Sequence, residues 1–379
     1  MKVEQSRWIP NKGWHPIQPG GLGSNCQLVL VFASTIIMEK EQALLDEITA
    51  AYPNAYIMGC STAGEVYDIQ VTQESLVVTA VQFEHTVIKG VTVVIAEQET
   101  SLQAGKRLAS LIDKEELAHV FVLSDGVKVN GSELVDGLTS GLPDKIAVTG
   151  GLAGDGDRFG KTFVLNNGKA EQQTITALCL YGNRVRVGYG SMGGWDSFGP
   201  ERLVTSSEGN ILYELDGKSA VDLYKNYLGE YSKGLPASAL LFPLNVRSGK
   251  ERGVVRTILG IDEAKRSMIF AGDVPQGSYA RFMKANCDRL VNGAVEAAKT
   301  SVGESSEFSS GLAILISCVG RKLVMKQRVE EEVEAVREVV GEDVVITGFY
   351  SYGEIAPFQP GAKCDLHNQT MTITLITEK

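Results

Sequence analysis

Continuous apolar runs alternate along the chain with segments whose apolar positions recur at helical spacing. Residues 26–33 (CQLVLVFA) are apolar except for one glutamine, which is typical of a strand buried on both faces. Residues 41–52 then place Leu44, Ile48 and Tyr52 on one face of a helix. A short strand leading into a turn follows at residues 55–64. This alternation predicts an α/β fold rather than an all-helical one.

The same alternation continues to the end of the chain. Further strands are predicted at residues 75–83, 91–96, 119–123, 239–242, 254–259, 267–272 and 312–318, helices at 279–300 and 329–340, and a polar loop at 303–310. Residues 174–181 and 184–189 are predicted to form a hairpin around Gly182-Asn183. The 379 residues allow two or three domains. We expect two related α/β domains with mixed sheets, at residues 1–190 and 191–379.

The predicted helix at residues 329–340 carries a run of acidic side chains. Its valines fall on one face, and glutamates fill the positions between them. The glutamates are Glu330, Glu331, Glu332 and Glu334. Because a charged face opposite an apolar stripe is normally turned to water, we interpret this run as a solvated surface without chemistry.

An internal repeat is the most informative pattern in the sequence. Residues 59–66 (GCSTAGEV) and 348–355 (GFYSYGEI) share the form G-x4-G-E-[VI]. Each copy follows a predicted strand and amphipathic helix, and each precedes a β-rich run. A looser third copy lies at residues 149–155 (TGGLAGD). Agreement in motif, order and spacing predicts internal duplication of the chain.

The glycine-bracketed turns have two possible roles. Glycine lets another group approach the backbone closely. The carboxylate that ends the motif, Glu65 or Glu354, could orient its turn by accepting backbone N–H bonds, or could contact a polar ligand. Ser61 and Thr62 occupy the first copy, whereas the second has tyrosines at 350 and 352. A binding crevice between related halves would show this asymmetry, with one small polar wall and one aromatic wall.

The composition indicates which kinds of binding partner and which cellular compartment to expect for this protein. Lys and Arg number 36 against 46 Asp and Glu, a formal charge of -10, and no basic run is present, so nucleic acid is not an expected partner. Six scattered cysteines and the absence of an apolar leader at the start of the sequence favour reduced thiols and a cytoplasmic location. The longest apolar runs have the length of strands, so no membrane span is expected.

Three segments resemble known cofactor- or metal-binding motifs, but each lacks a part that the motif requires. The G-x-G-x-x-G at residues 188–193 is followed by GWDSFGP, which cannot open the helix that a dinucleotide site needs. Gly160-Lys161-Thr162 lacks the upstream glycine of a P-loop. Residues 364–367 (CDLH) supply only half of a metal or haem site. Hydrogen bonding by His367 near the last strand is the simpler interpretation of that motif.

The sequence resembles the FIST sensory proteins, which combine an N-terminal FIST domain with a FIST C domain. The matching segments lie in family order and span nearly the whole chain, at residues 58–67 (MGCSTAGEVY), 150–159 (GGLAGDGDRF), 193–229, 348–357 (GFYSYGEIAP) and 364–376 (CDLHNQTMTITLI). The resemblance implies a ligand-binding signal-input module without catalysis of its own. Proposed ligands in the family are small molecules such as amino acids.

A stand-alone branch of the same family is similar in architecture. That branch binds haem, senses nitric oxide, and controls a histidine kinase or a cyclic-di-GMP enzyme. Haem needs an axial ligand, usually His or Cys, and no branch-specific ligand can be matched in this sequence. Haem therefore stays an alternative, and the cofactor is left open. No kinase, cyclase or F-box segment is apparent in the sequence, so we expect output through a separate signalling partner.

These observations combine into one main hypothesis and two rivals. The main hypothesis is a cytoplasmic sensor that binds a small ligand in a crevice between the two domains. Its expected ligand-binding residues come from the repeats and their surroundings: Ser61, Thr62, Glu65, Asp155, Tyr350, Tyr352, Glu354 and His367. The first rival is an enzyme of unknown reaction, with Cys60 or Ser61 as nucleophile and His367 as base. The second is a pure scaffold.

Overall fold

A computed structural model describes residues 1–235, 237–249, 253–303, 310–359 and 361–379. Residues 304–309 of the predicted loop at 303–310 lie outside these ranges. The α-helices are α1 Thr35–Lys40, α2 Gln42–Ala51, α3 Ser101–Leu111, α4 Gly131–Ser140, α5 Ala220–Leu228, α6 Cys287–Val302, α7 Val319–Met325 and α8 Glu330–Val340. Together with the strands they form the mixed α/β fold that the sequence predicts.

The strands fall into three stretches of the chain. The first stretch comprises β1 Lys2–Ile9, β2 Gly13–His15, β3 Leu28–Ser34, β4 Tyr56–Thr62, β5 Glu65–Tyr67, β6 Gln70–Thr72, β7 Leu76–Gln82, β8 Val87–Val94, β9 Leu117–Ser124, β10 Ala147–Leu152, β11 Val164–Asn166, β12 Lys169–Glu171, β13 Thr174–Tyr181 and β14 Val185–Met192. The second comprises β15 Asp196–Glu208, β16 Ile211–Leu215, β17 Lys218–Ser219, β18 Leu244–Arg247, β19 Val254–Arg256, β20 Ile258–Asp262, β21 Ser267–Phe270 and β22 Tyr279–Lys284. The third comprises β23 Gly311–Cys318, β24 Val344–Ser351, β25 Gly353–Pro357, β26 Cys364–His367 and β27 Met371–Glu378.

Three equivalent units make up the core. In each unit a strand leads through helix to a parallel neighbour, as β3 to β4, β9 to β10 and β23 to β24. An antiparallel strand (β7, β13 or β27) then pairs with the first strand of its unit. The first strands are completely or almost completely buried, because their apolar runs face helices on one side and core on the other. The looser third copy of the repeat is therefore a structural unit like the other two.

The three units exchange strands in a cycle. β5, which follows β4 in the chain, pairs with β24 of another unit. β25 follows β24 and pairs with β10. β11 follows β10 and pairs with β4, which closes the cycle. Each of the three core sheets is thus completed by a strand from a different unit, and sheets join strands from both sides of residue 190. The predicted division at that residue stays a prediction.

The three sheets share one apolar core. Phe32 of the first unit, Phe121 of the second and Ile314 of the third belong to a single buried cluster. The helices lie outside, where Ile48 of α2 and the apolar stripes of α3, α4, α6 and α8 are buried in the outer clusters. Since every sheet buries one face against the other two sheets and one against helices, separation of the units would expose most of this apolar surface.

An additional sheet is inserted between β14 and α6. Its strand order is β19-β18-β22-β15-β16-β21-β20, with β17 paired to β16. All its strands come from the second stretch, and its core includes Tyr224, Phe270 and Phe282. This inserted sheet packs beside the core sheet that contains β9 and β10, where the Arg256 guanidinium donates to the carbonyl of Leu366 on β26 at 2.7 Å.

Two local predictions are wrong and a third is wrong in part. The helix predicted at 279–300 is confirmed from Cys287 onward as α6, but its predicted start is wrong, because Tyr279–Lys284 form the strand β22 and α6 begins after the N-cap Asn286. The predicted strand at 239–242 falls on a short 3₁₀ helix, Ala237–Leu241. The predicted hairpin does not form, because β13 pairs with β8 and β9 while β14 pairs with β27. Here long-range pairing overrides a favourable local turn.

Candidate functional site

The repeat motifs form three turns that meet where the parallel strands of the three units end. We call residues 61–65 the first turn, 152–156 the second turn and 350–354 the third turn. Backbone bonds join them directly, from Ala63 N to Tyr350 O and from Tyr350 N to Gly64 O, both 2.8 Å. Gly154 N donates to Ser61 O, also at 2.8 Å. The carboxyl ends of parallel strands are the usual place for ligands in α/β proteins, so this junction is the candidate site.

The leading glycine of each motif is required by close strand packing. A Cβ added at Gly59 would lie 1.8 Å from Val31 O, and one at Gly348 would lie 1.9 Å from Leu315 O. Gly150 occupies the same position in the second unit, 1.8 Å from Val122 O. The repeated glycine therefore serves the fold, because any side chain would collide with the backbone of the parallel neighbour.

The two repeat glutamates are buried and bonded in the same way. Glu65 accepts from the Thr62 hydroxyl and from Ser75, whose backbone N and Oγ lie 3.2 and 2.7 Å away. Glu354 accepts from Ser351 Oγ at 2.5 Å and from the Thr370 N and Oγ1 at 3.1 and 2.9 Å. Burial raises the pKa of Glu65 to about 7 and that of Glu354 to about 8, although these hydrogen bonds act in the opposite direction. Both carboxyls orient their turns.

In the second unit a different carboxylate bonds to the residue before the antiparallel strand, as Glu65 and Glu354 do in the other two units. Asp125, at the end of β9, accepts from Thr162 Oγ1 and from Gln173 N, both at 2.8 Å. Asp155, the acidic residue of the motif itself, instead accepts from Arg158 and from the Lys161 backbone N. Burial is the largest single influence on the pKa of Asp155 and would raise it, but the hydrogen bonds from Arg158, Thr35 and the Lys161 backbone together with the Arg158 charge outweigh burial and leave that pKa below its ordinary value.

Glu332 overturns the interpretation of the glutamate run as a wholly solvated face. Its carboxylate is fully buried and accepts from Arg321 Nη2 at 2.6 Å, Ser317 Oγ at 2.9 Å and Tyr350 Oη at 2.6 Å. Arg321 is also fully buried and donates to the Gly193 carbonyl at 2.7 Å. A buried carboxylate needs such partners, so Glu332 lies inward while its neighbours stay on the surface. Desolvation raises the pKa of Tyr350, whose hydroxyl is turned toward Glu332.

A cavity of about 490 Å³ opens beside the first turn, and we call it the first-turn cavity. One wall is the first turn, another is α7 with the residues that follow it, and a third is the segment after the second turn. The charged side chains that line it are Glu65, Glu74, Asp157, Arg158, Lys322 and Lys326. Its volume lies within the range of small-molecule sites, and its lining carries charges of both signs.

Lys322 brings a cation to the floor of this cavity. Its ammonium donates to the Ala63 carbonyl and lies 5.7 Å from the centre of the Tyr350 ring. Desolvation lowers the pKa of Lys322, while the carboxyls of Glu65 and Asp157 act against that shift. An ammonium has three donors, and the carbonyl engages one of them. This partly buried cation is therefore suited to an incoming anion.

The expected ligand-binding residues do not all line one cavity in the structure. Thr62 and Glu65 line the first-turn cavity, and Tyr352 lines a second, smaller cavity. The other expected residues are buried within the junction or its surroundings: Ser61, Asp155, Tyr350, Glu354 and His367. The sequence does not predict Lys322 or Arg158 as lining residues, because a lysine or arginine in an ordinary helix or loop carries no distinctive sequence signal.

The groups named for an enzymatic mechanism are engaged or closed off. Cys60 is fully buried, and desolvation raises its pKa well above the ordinary value. Ser61 Oγ donates to the Gly154 carbonyl at 2.8 Å and accepts from Phe163 N at 2.9 Å. His367 is buried, with Nε2 at 2.9 Å from the Ala356 carbonyl. The geometry thus aligns no nucleophile with a base among these three residues.

The first-turn cavity does not fit haem. Among the described residues that line it, no histidine, cysteine or methionine offers an axial ligand. His119 is buried against Thr149 Oγ1 at 2.8 Å, away from the cavity. Nowhere in the described ranges do three His, Cys, Asp or Glu side chains form a group that could hold a metal ion. Within those ranges, no helix combines the length and apolar character that a membrane crossing needs.

Comparison with known proteins finds two family models, one protein sequence and solved structures to which this chain is similar. The family model described as FIST N domain matches residues 27–218, and the FIST C domain model matches residues 220–357. The uncharacterized protein MJ1623 of Methanocaldococcus jannaschii is 24% identical, over 86% of this chain and 69% of that protein. Cyanuric acid hydrolase from A. caulinodans is 8% identical with a TM-score of 0.37, covering 100% of this chain and 99% of its own. A second cyanuric acid hydrolase structure, also 8% identical with the same coverage, has a TM-score of 0.35.

Proposed function

Because the chain belongs to the FIST family, whose domains are sensory domains of signal transduction, we propose that it senses a small amino-acid-like ligand in the first-turn cavity. The observation that carries the proposal is the Lys322 ammonium on the cavity floor. A ligand carboxylate would accept a charge-assisted hydrogen bond from this ammonium, a kind of bond that is stronger than one between neutral groups.

The remaining charges suit the other end of such a ligand. Asp157 and Glu74 line the same cavity and would accept from an α-ammonium group. Glu65 also lines it, but its raised pKa lets it keep a proton near neutral pH. The cavity therefore offers both cationic and anionic partners, which matches the charge pattern of a zwitterion better than that of a simple anion.

The position of the cavity suggests how binding would be transmitted. The first turn pairs with the third turn through the backbone bonds of Ala63 and Tyr350, and α7 supplies the opposite wall. A ligand held between these walls would favour one packing of the turns over another, because it can only shift an equilibrium toward the state that it binds better. A separate signalling protein, such as a histidine kinase or a cyclic-di-GMP enzyme, would then recognise that state.

Lys322→Met tests the proposal directly. Methionine keeps most of the length of the side chain but removes the charge and the donors. We expect the amino acid that most strongly stabilises the wild type in a thermal-shift screen to bind this variant about tenfold more weakly or worse by calorimetry, a loss of about 1.4 kcal/mol. Lys299→Met is the matched control, since Lys299 is exposed on α6 and lines no described part of the cavity.

Two results would contradict the proposal. One is the absence of saturable binding by any amino acid to the wild type. The other is equal affinity of the wild type and Lys322→Met for the ligand. If Lys322→Met does not fold, Lys326→Gln is the alternative, because Lys326 is exposed and lines the same cavity. Unchanged affinity in that folded variant would then count against a charged site.

A further inference from the structure

A second cavity, of about 290 Å³, lies between the second unit and the inserted sheet, and we call it the seam cavity. The core contributes residues 126–130 after β9, Leu152, Phe159 and Tyr352. The inserted sheet contributes Asn210, Leu259 and residues 270–272. Two parts of the chain far apart in sequence thus close around one concave space.

The seam cavity occupies the same place in the repeat as the first-turn cavity. The first-turn cavity lies between the first turn and the segment that follows β23. The seam cavity lies between Tyr352 of the third turn and the segment that follows β9. Both are therefore located at the carboxyl end of a parallel strand pair, where α/β folds place their ligands. The repeat supplies two equivalent positions with different linings.

The lining of the seam cavity combines apolar and aromatic side chains with the polar side chains of Asn130 and Asn210 and with Lys128, the one charged residue among the described residues of the lining. The rings of Phe159 and Tyr352 stack with centroids 4.5 Å apart and planes 19° apart. Leu152 and Phe270 are buried behind them. Val127 and Leu259 also line the cavity but are 37% and 44% exposed. Exposed apolar side chains that line one concave space indicate an apolar ligand rather than a charged one.

One side-chain amide adds a polar contact. Asn210 Nδ2 donates to the Phe270 carbonyl at 2.8 Å, which fixes the orientation of the amide. In the part of the chain that the structure describes, no donor reaches Asn210 Oδ1. Asn130, the other amide in the lining, is already engaged by α4 and by Asp273. Asn210 can therefore accept one hydrogen bond from a ligand.

We propose that the seam cavity is a second binding site, for a flat, uncharged aromatic ligand that carries one hydrogen-bond donor. Aromatic rings stack favourably on protein rings in offset or tilted arrangements, and the Phe159–Tyr352 pair forms the wall on which this occurs. The donor reaches Asn210 Oδ1. The site differs in ligand class from the first-turn cavity and does not depend on the function proposed for that cavity.

The two cavities share a wall. Gly156, Asp157 and Arg158 line the first-turn cavity, while the next residue, Phe159, lines the seam cavity. Tyr352 Oη holds this segment, because it donates to the Gly156 carbonyl at 3.3 Å and accepts from Phe159 N at 3.1 Å. A ligand that moves the Phe159 ring therefore acts on a segment that also lines the other cavity.

Calorimetry with indole as the probe tests the second site. Indole is flat and uncharged and has one N–H donor. We expect saturable binding of one indole per chain, weakened about tenfold or more by Leu259→Asp, which places a charge at the mouth. Ile269→Asp is the matched control, since Ile269 is 37% exposed on the neighbouring strand of the same sheet and lies outside the lining. It should bind indole as the wild type does.

Three outcomes would overturn this proposal. They are the absence of saturable indole binding, equal binding by Leu259→Asp and the wild type, and equal binding of indole and 1-methylindole, which lacks the donor. Lys322→Met separates the two sites, because it should leave indole binding unchanged whether or not an amino acid binds the first-turn cavity. Loss of indole binding in folded Lys322→Met would count against a distinct second site.

Discussion

At the scale of single residues, burial decides what each reactive group can do. Cys60 and Glu354 are fully enclosed, whereas Lys322 is only partly buried and keeps a face toward a cavity. The same desolvation that raises the pKa of the first two lowers that of the lysine. Groups of all three types occur in active sites, but of these three only the lysine can meet a ligand without opening the fold.

Thiol labelling tests the assignment of Cys60 as a core residue. We expect iodoacetamide to modify Cys287 first, because it is only partly buried and the other cysteines are buried. Cys60 should react only as the chain unfolds, since a thiol with a raised pKa supplies little thiolate. Peptide mapping by mass spectrometry over time measures the order. Rapid modification of Cys60 in the folded protein would instead favour the enzymatic alternative.

The pH dependence of stability tests the two repeat glutamates. In the unfolded chain a glutamate titrates near pH 4.3, at about its ordinary pKa. In the folded chain Glu65 and Glu354 keep their protons to about pH 7 and about pH 8. The folded state then binds more protons than the unfolded state between these limits, so their contribution to the free energy of unfolding falls as pH rises through this range.

Glu65→Gln with Glu354→Gln should remove that contribution. We expect the free energy of unfolding of the double variant, relative to the wild type, to increase from about pH 5 to about pH 8. Urea denaturation at several pH values measures it. Comparing variant with wild type cancels other titrating groups such as His119, whose buried ring has its pKa lowered to about 3. A constant difference across the range would mean that neither carboxyl is protonated in the folded chain.

At the scale of elements, one buried ion pair connects several parts of the fold. Arg321 on α7 and Glu332 on α8 are both fully buried, and Arg321 also donates to the carbonyls of Gly193 and Leu290. These carbonyls belong to the link before the inserted sheet and to α6. Because α7 is one wall of the first-turn cavity, the ion pair links that wall to the two segments on either side of the inserted sheet.

Arg321→Met should destabilise the protein by about 3–5 kcal/mol, because it leaves the Glu332 carboxylate buried without its cation. Arg321→Met with Glu332→Leu should recover part of that loss, since no buried charge then remains. Glu331→Gln is the surface control and should leave stability almost unchanged, because its ion pair with Arg328 is exposed. Chemical denaturation measures all three. A double variant no more stable than Arg321→Met would contradict this account of the pair.

The elements also show what the sequence could predict. The apolar runs of β3 and β23 and the glycine-glutamate motifs locate the equivalent units, because both follow from local pattern and close packing. The false hairpin and the early start predicted for the helix at 279–300 show the limit. The partner of β14 is β27, nearly two hundred residues away, and local spacing does not encode that pairing. Local spacing likewise does not show that Glu332 is the glutamate of its run that lies inward, because its buried partner Arg321 lies on another helix.

At the scale of the whole molecule, the exchange of strands makes the three units interdependent. Each core sheet is completed by a strand from another unit, namely β5, β11 or β25. The relative positions of the three turns therefore depend on all three sheets. The candidate cavities lie at the junctions of these units, where a small change in packing reaches more than one sheet. A sensor benefits from this arrangement, because packed interfaces tend to shift between discrete states.

A crystal structure of the protein with the amino acid selected by thermal shift would show whether the first-turn cavity is the ligand site. We expect density for the ligand in this cavity, with a carboxylate oxygen within hydrogen-bonding distance of Lys322 Nζ, about 2.7–3.2 Å. Its ammonium group should face Asp157 or Glu74. A ligand bound elsewhere, with Lys322 still bonded only to the Ala63 carbonyl, would contradict the proposed function.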